Sequence, residues 1–141
     1  MSPAPDPATH RGRVGIEAEA IARRSLEALG WRTLATNLVV GRDEIDLVCL
    51  DPDETPVLVV VEVRGHSSGR FGAPEESVDR RKLGRTYRAA LSLVRSGWVA
   101  DQGLQSRIGW RVDVVAVELA PALARDAGGA TVRHIRGATA D

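Results

Sequence analysis

The feature that most constrains the fold is a nearly unbroken apolar run from Val57 to Val63, which contains one polar residue, Glu62. A half-exposed strand alternates apolar and polar side chains, whereas a strand covered on both faces reads as a continuous apolar run. We therefore expect this segment to be the central strand of a sheet. Because spanning a bilayer takes roughly 20 apolar residues, we expect no membrane segment.

Helix and strand patterns precede this run. Apolar residues spaced by three and four predict a first helix that ends at Gly30. Trp31–Val40 and Glu44–Leu50 are strand-like and are separated by a short turn, which predicts a hairpin. The residues expected on the buried face of the first helix are Ala18, Ile21, Ala22, Ser25, Leu26 and Leu29.

The segments after the run predict a crossover helix and further strands. We expect a loop over Gly65–Pro74, a helix over Glu76–Val94, an irregular stretch over Gly97–Gly109, a strand at Trp110–Val117, a short helix over Ala120–Asp126 and an edge strand at Thr131–Ile135. The apolar side of the long helix comprises Leu83, Tyr87, Ala90, Leu91 and Val94. A crossover of this length allows two strands to run parallel, so the sequence predicts an α/β fold with a mixed sheet flanked by helices.

Length and composition limit the class of protein. A chain of 141 residues fits a single domain, which we place at residues 13–141 behind a disordered lead-in of residues 1–12. With 43% hydrophobic and 27% charged residues, the chain is neither disordered nor collagen-like. The single cysteine, Cys49, predicts a core thiol and a reducing, cytoplasmic location. The formal net charge is zero and gives no bulk electrostatic case for a nucleic-acid partner.

Polar side chains inside apolar strands are the informative positions, because burying an unpaired carboxylate is costly. The two-residue period of a strand places Glu44 and Asp46 on one face, opposite Ile45 and Leu47. The same period puts Arg64 on the face of Glu62 in the next strand.

Asp46 and Glu62 lie in sequential strands, so they can converge. Two such carboxylates suit Mg²⁺, which takes one or two protein carboxylates and leaves its other positions to water and phosphate. A nearby cation would stabilise charge on the phosphate. The alternative is a structural ion pair of Arg64 with Asp46 or Glu62.

The spacing from Asp46 to Glu62-Val63-Arg64 resembles the PD-(D/E)xK motif of restriction-endonuclease-like nucleases. From about Val14 to Ala138 the chain also resembles the YraN family, an uncharacterised bacterial family. The segments that carry this resemblance are Glu44-Ile45-Asp46-Leu47-Val48, Val60-Val61-Glu62-Val63-Arg64, Phe71-Gly72-Ala73-Pro74, Val78, Lys82, Ala89-Ala90, Arg111-Val112-Asp113-Val114-Val115 and His134-Ile135-Arg136-Gly137-Ala138.

The resemblance implies a restriction-endonuclease-like fold and an Mg²⁺-dependent endonuclease, with Mn²⁺ as a substitute for Mg²⁺. It assigns Asp46 and Glu62 as metal ligands and places the family's helix-1 glutamate at Glu19, with Glu17 as the alternative. Arg64 would stabilise charge electrostatically. The family has lysine at this position, and a guanidinium is bulkier, planar and permanently protonated. If this change weakens catalysis, the substitution Arg64→Lys should raise the rate of cleavage.

Four basic residues on the long helix form a candidate phosphate-contacting stripe, since arginine forks match phosphate oxygens. The alternative is an ordinary solvated face. Two histidines, His66 and His134, are candidates for acid–base work. The stripe consists of Arg81, Lys82, Arg85 and Arg88, and Arg95 extends it.

The sequence leaves three functions open. The first is a metal-dependent endonuclease on DNA, branched DNA included, and the second is a catalytically degenerate nuclease fold that binds nucleic acid. The third is a protein-interaction module. An aromatic content of 4% argues against base stacking and favours recognition of a DNA backbone, with RNA as the alternative. A homodimer is compatible with cutting two strands, although no segment identifies an interface.

Overall fold

The apolar run forms the central strand of a five-stranded mixed sheet in the computed structural model, which describes residues 9–67, 79–119 and 130–138. Every residue from Leu58 to Val63 is buried, as the sequence predicts. The elements in chain order are α1 (Thr9–Ala28), β1 (Arg32–Val40), β2 (Asp43–Asp51), β3 (Val57–Ser67), α2 (Arg80–Arg95), α3 (Trp98–Asp101), β4 (Gly109–Leu119) and β5 (Ala130–Ile135).

The strand order is β1-β2-β3-β4-β5. The first three strands form an antiparallel meander, and β4 lies parallel to β3 after the crossover through α2 and α3. β5 pairs antiparallel with β4 at the edge of the sheet. The α/β class, the hairpin, the parallel pair and the edge strand are therefore confirmed.

Helices cover both faces of the sheet and enclose two apolar clusters. On the α1 side, Ala18, Ala22 and Leu26 pack against alternate residues of β3 and β4. On the α2 side, Leu83 and Leu93 pack against the intervening residues. Cys49 is fully buried, which confirms the core thiol, and burial raises its pKa to about 12.

The first helix ends as predicted but begins earlier and buries less. It starts at Thr9, within the expected lead-in, and residues 1–8 lie outside the described residues. Gly30 adopts a φ of 90°, a conformation that glycine tolerates at a helix end. The prediction that Leu29 is buried is wrong: it lies next to this glycine, beyond the last helical residue, and is 55% exposed.

The long helix starts at Arg80, because Asp79 caps it. The Asp79 side chain accepts hydrogen bonds from the backbone N–H groups of Arg81 and Lys82, at 3.0 and 3.2 Å. The prediction that the helix includes Asp79 is therefore wrong. Leu91 is 38% exposed, which corrects its place on the buried face, and Thr86, Ala89 and Leu93 are buried in addition to the predicted residues.

Two further boundaries differ from the prediction. β3 continues through Gly65 to Ser67, into the segment expected to be a loop, because the parallel pairing with β4 extends to Leu119. The stretch expected to be irregular contains the short helix α3. The remainder of the predicted loop, residues 68–74, the helical start at 76–78 and the short helix at 120–126 lie outside the described residues. Within the described part of the chain, no helix is long and apolar enough to cross a membrane.

Candidate functional site

The candidate site lies where β2 and β3 separate. Their ladder runs from Asp51↔Val57 to Leu47↔Val61 and stops there, although both strands continue. The next residue of β2, Asp46, uses its side chain instead: its Oδ2 accepts the backbone N–H of Val63 at 2.8 Å. A carboxylate thus replaces a backbone carbonyl at the point where a cleft opens between the strands.

Asn37 on β1 marks the same irregularity. It stands opposite Asp46 between the pairs Thr36↔Leu47 and Leu38↔Ile45, with a left-handed φ of 49° that is uncommon for a residue with a Cβ. The prediction that Ile45 and Leu47 share a face is wrong. Ile45 packs in the α2-side cluster and Leu47 in the α1-side cluster, since the regular alternation is interrupted at Asp46.

The cleft has a volume of about 370 Å³ and contains both signs of charge. Its mouth is braced by a bidentate ion pair in which Arg88 donates to Asp43 through Nε at 3.1 Å and a terminal nitrogen at 2.9 Å. This pair ties the hairpin turn to α2. The lining residues are Arg42, Asp43, Glu44, Asp46, Val61, Glu62, Lys82, Arg85 and Thr86.

The two predicted metal ligands converge in this cleft. Glu62 is only 4% exposed, and its Oε1 is buried without a hydrogen-bond partner among the described residues. Burial raises the pKa of both carboxyls. The charge of Glu44 raises the pKa of Asp46 further, and the charge of Asp46 raises the pKa of Glu62. Both carboxylates are therefore held at an energetic cost that an added cation would relieve.

The structure also brings Glu19 of α1 to this site. Burial raises the pKa of Glu19, and the Asp46 charge raises it further. With its amide nitrogen turned toward the two carboxylates, Asn37 donates to Glu44 Oε1 at 3.0 Å and to Glu19 Oε2 at 3.3 Å. Asn37 is a site residue that sequence reasoning missed, because nothing local in the sequence shows that its backbone turns left-handed.

Arg64 lies beside the cleft rather than in it. It is half-buried and does not line the cleft, and neither of the proposed structural ion pairs, with Asp46 or with Glu62, forms. Its buried Nε has no hydrogen-bond partner within residues 9–67, 79–119 and 130–138. Its charge still helps to lower the pKa values of both carboxyls.

Lys82 is the cation next to the cleft carboxylates, where Arg64 was expected. Its Nζ lies 3.7 Å from Glu62 Oε1, and its charge lowers the pKa values of Glu19, Asp46 and Glu62. From the sequence, Lys82 is expected in the phosphate stripe and among the residues that carry the YraN resemblance, but not beside the two carboxylates. One signal could have singled it out, because it is the only lysine in a chain with 19 cationic residues.

The members of the predicted stripe are not equivalent. Arg85 is exposed and lines the cleft, and Arg81 is exposed one turn earlier. Arg88 is paired with Asp43. Arg95 lies in the last turn of α2. The cations that face the cleft therefore come from the first half of the helix.

The two candidate histidines lie in different places. His66 is half-buried on the last part of β3, where burial, followed by the Arg64 charge, lowers its pKa. His134 belongs to a separate cluster around Asp113 on β4: its Nε2 lies 2.7 Å from Asp113 Oδ2, and its ring contacts Trp31 edge-on. This cluster engages His134 structurally and holds it outside the cleft lining.

Asp113 is a second buried carboxylate that the sequence analysis did not single out. Arg111 Nε donates to it at 2.9 Å, and the N–H of Gly137 donates at 2.9 Å. Although burial alone raises its pKa, the hydrogen bonds from His134, Arg111 and Gly137 together lower it. The signal was present in the sequence, since Asp113 interrupts an apolar strand as Glu62 does.

The donor set of the cleft fits a hard divalent ion. No group of three His, Cys, Asp or Glu side chains that could hold a metal ion occurs among the described residues. Mg²⁺ does not need such a cage, because it binds one or two carboxylates and keeps several waters. Asp46 and Glu62 supply that number, and the buried Oε1 of Glu62 offers an acceptor without a hydrogen bond.

Comparison with known proteins identifies the family. Residues 18–117 match the uncharacterised protein family UPF0102. A UPF0102 protein of Beutenbergia cavernae is 40% identical over 124 residues, which cover 88% of this chain and 93% of that protein. UPF0102 proteins of Halorhodospira halophila and Pseudomonas syringae pv. tomato are 45% and 39% identical over 74% and 82% of this chain, and over 76% and 84% of their own lengths. The chain belongs to this family, which confirms the YraN resemblance.

Proposed function

We propose that this UPF0102 protein binds nucleic acid and hydrolyses its phosphodiester bonds at the cleft, with a divalent metal ion and with DNA as the substrate class. The observation that carries the proposal is the convergence of the buried carboxylate of Glu62 and the half-buried carboxylate of Asp46 beside the ammonium of Lys82. Two incompletely paired carboxylates can bind a divalent metal ion, and the adjacent cation can bind a phosphate group.

In this proposal, Asp46 and Glu62 hold Mg²⁺ or Mn²⁺, and Glu19 supports them from α1. When bound, the metal would supply Lewis-acid stabilisation of the phosphate oxygens. Asp46 is oriented by the backbone N–H of Val63, which fixes one carboxylate oxygen and leaves the other for a ligand. Asn37 bridges Glu19 and Glu44 and thereby orients both carboxylates.

Cations at the rim support a polyanionic substrate. Arg42 from the hairpin turn and Arg85 from α2 line the cleft, and both are exposed. The Arg88–Asp43 pair holds the turn and the helix at a fixed distance, so the two rim arginines are presented together. Backbone phosphates carry one charge per nucleotide, and contacts of this kind bind them without sequence preference.

The arrangement of the strands also supports the restriction-endonuclease-like assignment. The aspartate comes from the second strand of an antiparallel meander, and the glutamate comes from the third, central strand. The crossover helix then brings its first turn over the same cleft. The two acidic residues that carry the resemblance to the PD-(D/E)xK motif thus stand on adjacent strands at one cleft.

A second candidate is a catalytically degenerate nuclease fold that only binds nucleic acid. One observation favours it: arginine stands where the motif has lysine, and the Arg64 side chain lies outside the cleft lining. Metal-dependent cleavage separates the two candidates. Salt-sensitive DNA binding that is lost on charge reversal of Arg81 and Arg85 separates both from a protein-interaction module.

The test is an incubation of the purified protein with supercoiled, linear and four-way-junction DNA and with structured RNA, in Mg²⁺, Mn²⁺ or EDTA. We expect metal-dependent cutting of DNA that Asp46→Asn and Glu62→Gln each reduce by at least about 100-fold, since both variants remove a charged metal ligand. Asp53→Asn is the matched control, because Asp53 is an exposed carboxylate in the β2–β3 turn.

The outcomes are distinct. Cutting in EDTA, or cutting that survives both substitutions, would contradict the proposed metal site. Binding of DNA without cutting under any condition would favour the degenerate candidate. Cutting of RNA alone would retain the site and change the substrate class.

A further inference from the structure

We propose that Lys82, and not Arg64, is the cation that contacts the scissile phosphate and the attacking water in this cleft. The inference deepens the proposed function and rests on it. It reassigns the role that the PD-(D/E)xK motif gives to the residue two positions after its glutamate. A neighbouring helix, rather than the strand itself, supplies the ammonium.

The position of Lys82 is the first support. Its Nζ lies 3.7 Å from Glu62 Oε1, an atom that has no hydrogen bond among the described residues. This separation exceeds a hydrogen bond, and a water or ligand atom placed beside the two groups can contact both of them. The Lys82 side chain is also 44% exposed, and it can therefore reach a bound substrate as well as the buried glutamate.

The position of Arg64 is the second support. Arg64 does not line the cleft, and it forms no ion pair with either carboxylate. Its charge lowers the pKa values of Asp46 and Glu62 less than the charge of Lys82 does. Arg64 therefore acts on the site only through the electric field of its charge, whereas Lys82 supplies a hydrogen-bond donor within the site.

The fold holds the lysine in place from several directions. The Asp79 side chain accepts the backbone N–H of Lys82 at 3.2 Å, and the Thr86 hydroxyl donates to the Lys82 carbonyl at 3.1 Å. The next residue, Leu83, is fully buried in the α2-side cluster. The backbone of Lys82 is thus fixed on both sides, and only its side chain has freedom to follow a substrate.

The chemistry requires a compact donor rather than a base. In the hydrolysis, a water oxygen forms a bond to phosphorus, and the bond from phosphorus to the leaving ester oxygen breaks. One water proton passes to solvent, and the leaving oxygen takes up a proton. Lys82 acts as a hydrogen-bond donor to a non-bridging phosphate oxygen and to the water. An ammonium has three donors on one small head, whereas the planar guanidinium needs more room and a fixed fork geometry.

The uniqueness of Lys82 permits a test that needs no mutation at the site. Because Lys82 is the only lysine in the chain, protein grown with side-chain ¹³C-labelled lysine gives a single lysine signal by NMR. We expect this signal to shift when Mg²⁺ and a short DNA duplex are added together. An unshifted signal at a concentration where the DNA is bound would overturn the proposal.

Kinetics of four variants complete the test. We expect Lys82→Met to lower single-turnover cleavage at least about 100-fold, and Lys82→Arg to lower it at least about tenfold. Arg64→Met should cost less than about tenfold, because Arg64 acts only through its field. Arg107→Met, which removes an exposed cation between α3 and β4, is the control and should leave the rate unchanged. Circular dichroism and unfolding of each variant would confirm that the fold is retained.

The two proposals fail in different ways. If the wild-type protein cuts no substrate, the proposed nuclease function fails, and the lysine signal then decides whether Lys82 still meets the nucleic acid. If the wild type cuts, but Lys82→Met cuts equally well and Arg64→Met does not, only the reassignment is wrong. A rate for Lys82→Arg equal to that of the wild type would also contradict the need for a compact ammonium.

Discussion

Asp113 and Glu62 are both buried carboxylates on adjacent, parallel strands, and their surroundings differ. By register, Asp113 of β4 stands opposite Val61, the residue before Glu62. Asp113 is fully buried and accepts hydrogen bonds from Arg111, His134 and the N–H of Gly137, which together hold its pKa below the usual value. Glu62 is nearly as buried, yet its Oε1 accepts no hydrogen bond in the described part of the chain and burial raises its pKa.

The difference distinguishes a carboxylate with a full set of protein partners from one that is incompletely paired. The Asp113 cluster lies on the α1 side, where Arg111 also reaches Asp51 at 3.5 Å and lies over the Trp31 ring. All of its partners come from the protein, so it needs no ligand. The cleft on the α2 side leaves its carboxylates incompletely paired, which costs stability unless a ligand completes them.

Removal of the Asp113 carboxylate should have the largest effect on stability. Asp113→Ala leaves the Arg111 Nε and the Gly137 N–H without their acceptor, and breaking a buried charged network costs about 3–5 kcal/mol. Urea unfolding measures this loss, with Asp53→Asn as an exposed control. A loss below about 1 kcal/mol would show that the cluster is not structural.

The pH dependence of unfolding should show that the ionised Asp113 carboxylate stabilises the fold. Because its folded pKa is lower than its unfolded value near 3.9, its contribution is present above about pH 4 and is lost as pH falls through the folded pKa. The acid-induced loss of stability should therefore be shallower in Asp113→Asn than in the wild type. Urea unfolding between about pH 7 and pH 3 measures it, and parallel profiles would contradict the assignment.

The cleft carboxylates should have the opposite effect, because their ionised forms destabilise the fold in the absence of a metal. Asp46 has a folded pKa raised above its unfolded value, so its charge begins to destabilise the fold as pH rises past about 4 and does so fully above the folded pKa. Asp46→Asn keeps an oxygen for the Val63 N–H and removes the charge. Without metal, we expect this variant to be more stable than the wild type by about 1 kcal/mol at pH 7, with no gain below about pH 4. A loss of stability at pH 7 would contradict an incompletely paired site.

The smallest effect concerns the brace at the mouth of the cleft. The Arg88 side chain is 63% exposed, so the bidentate pair with Asp43 is well screened by water. Arg88→Ala should lower the melting temperature by less than about 2 °C. It should weaken DNA binding more clearly, because the turn that carries Arg42 is no longer tied to α2. Equal DNA affinity in both proteins would show that the brace has no part in binding.

Local sequence patterns are sufficient to predict much of this structure. The apolar run at Val57–Val63 predicts the central strand, and a carboxylate inside each of two sequential strands predicts that Asp46 and Glu62 meet. The reason for their meeting is different from the predicted one. They were expected to meet because sequential strands pair or lie close, whereas the two carboxylates meet beyond the point where the ladder ends at Leu47↔Val61.

The residues that sequence reasoning missed depend on tertiary packing. Lys82 reads as one cation in a polar helical arc, and only the crossing of α2 over the end of the β2–β3 ladder brings it to Glu62. Asn37 acquires its role from a left-handed backbone that the hairpin imposes. Asp113 differs from both, since its burial could have been predicted from its apolar strand and only its partners, such as His134, required the fold.

The most direct test of the account is a calorimetric titration of Mg²⁺ and Mn²⁺ into the wild-type protein and into Asp46→Asn and Glu62→Gln, with Asp53→Asn as the control. We expect saturable binding to the wild type and to the control, and its loss in both cleft variants, because these two incompletely paired carboxylates would supply the ligands of the metal. Binding that is unchanged in both cleft variants, or no binding to the wild type, would contradict the claim that the incompletely paired carboxylates form the functional site.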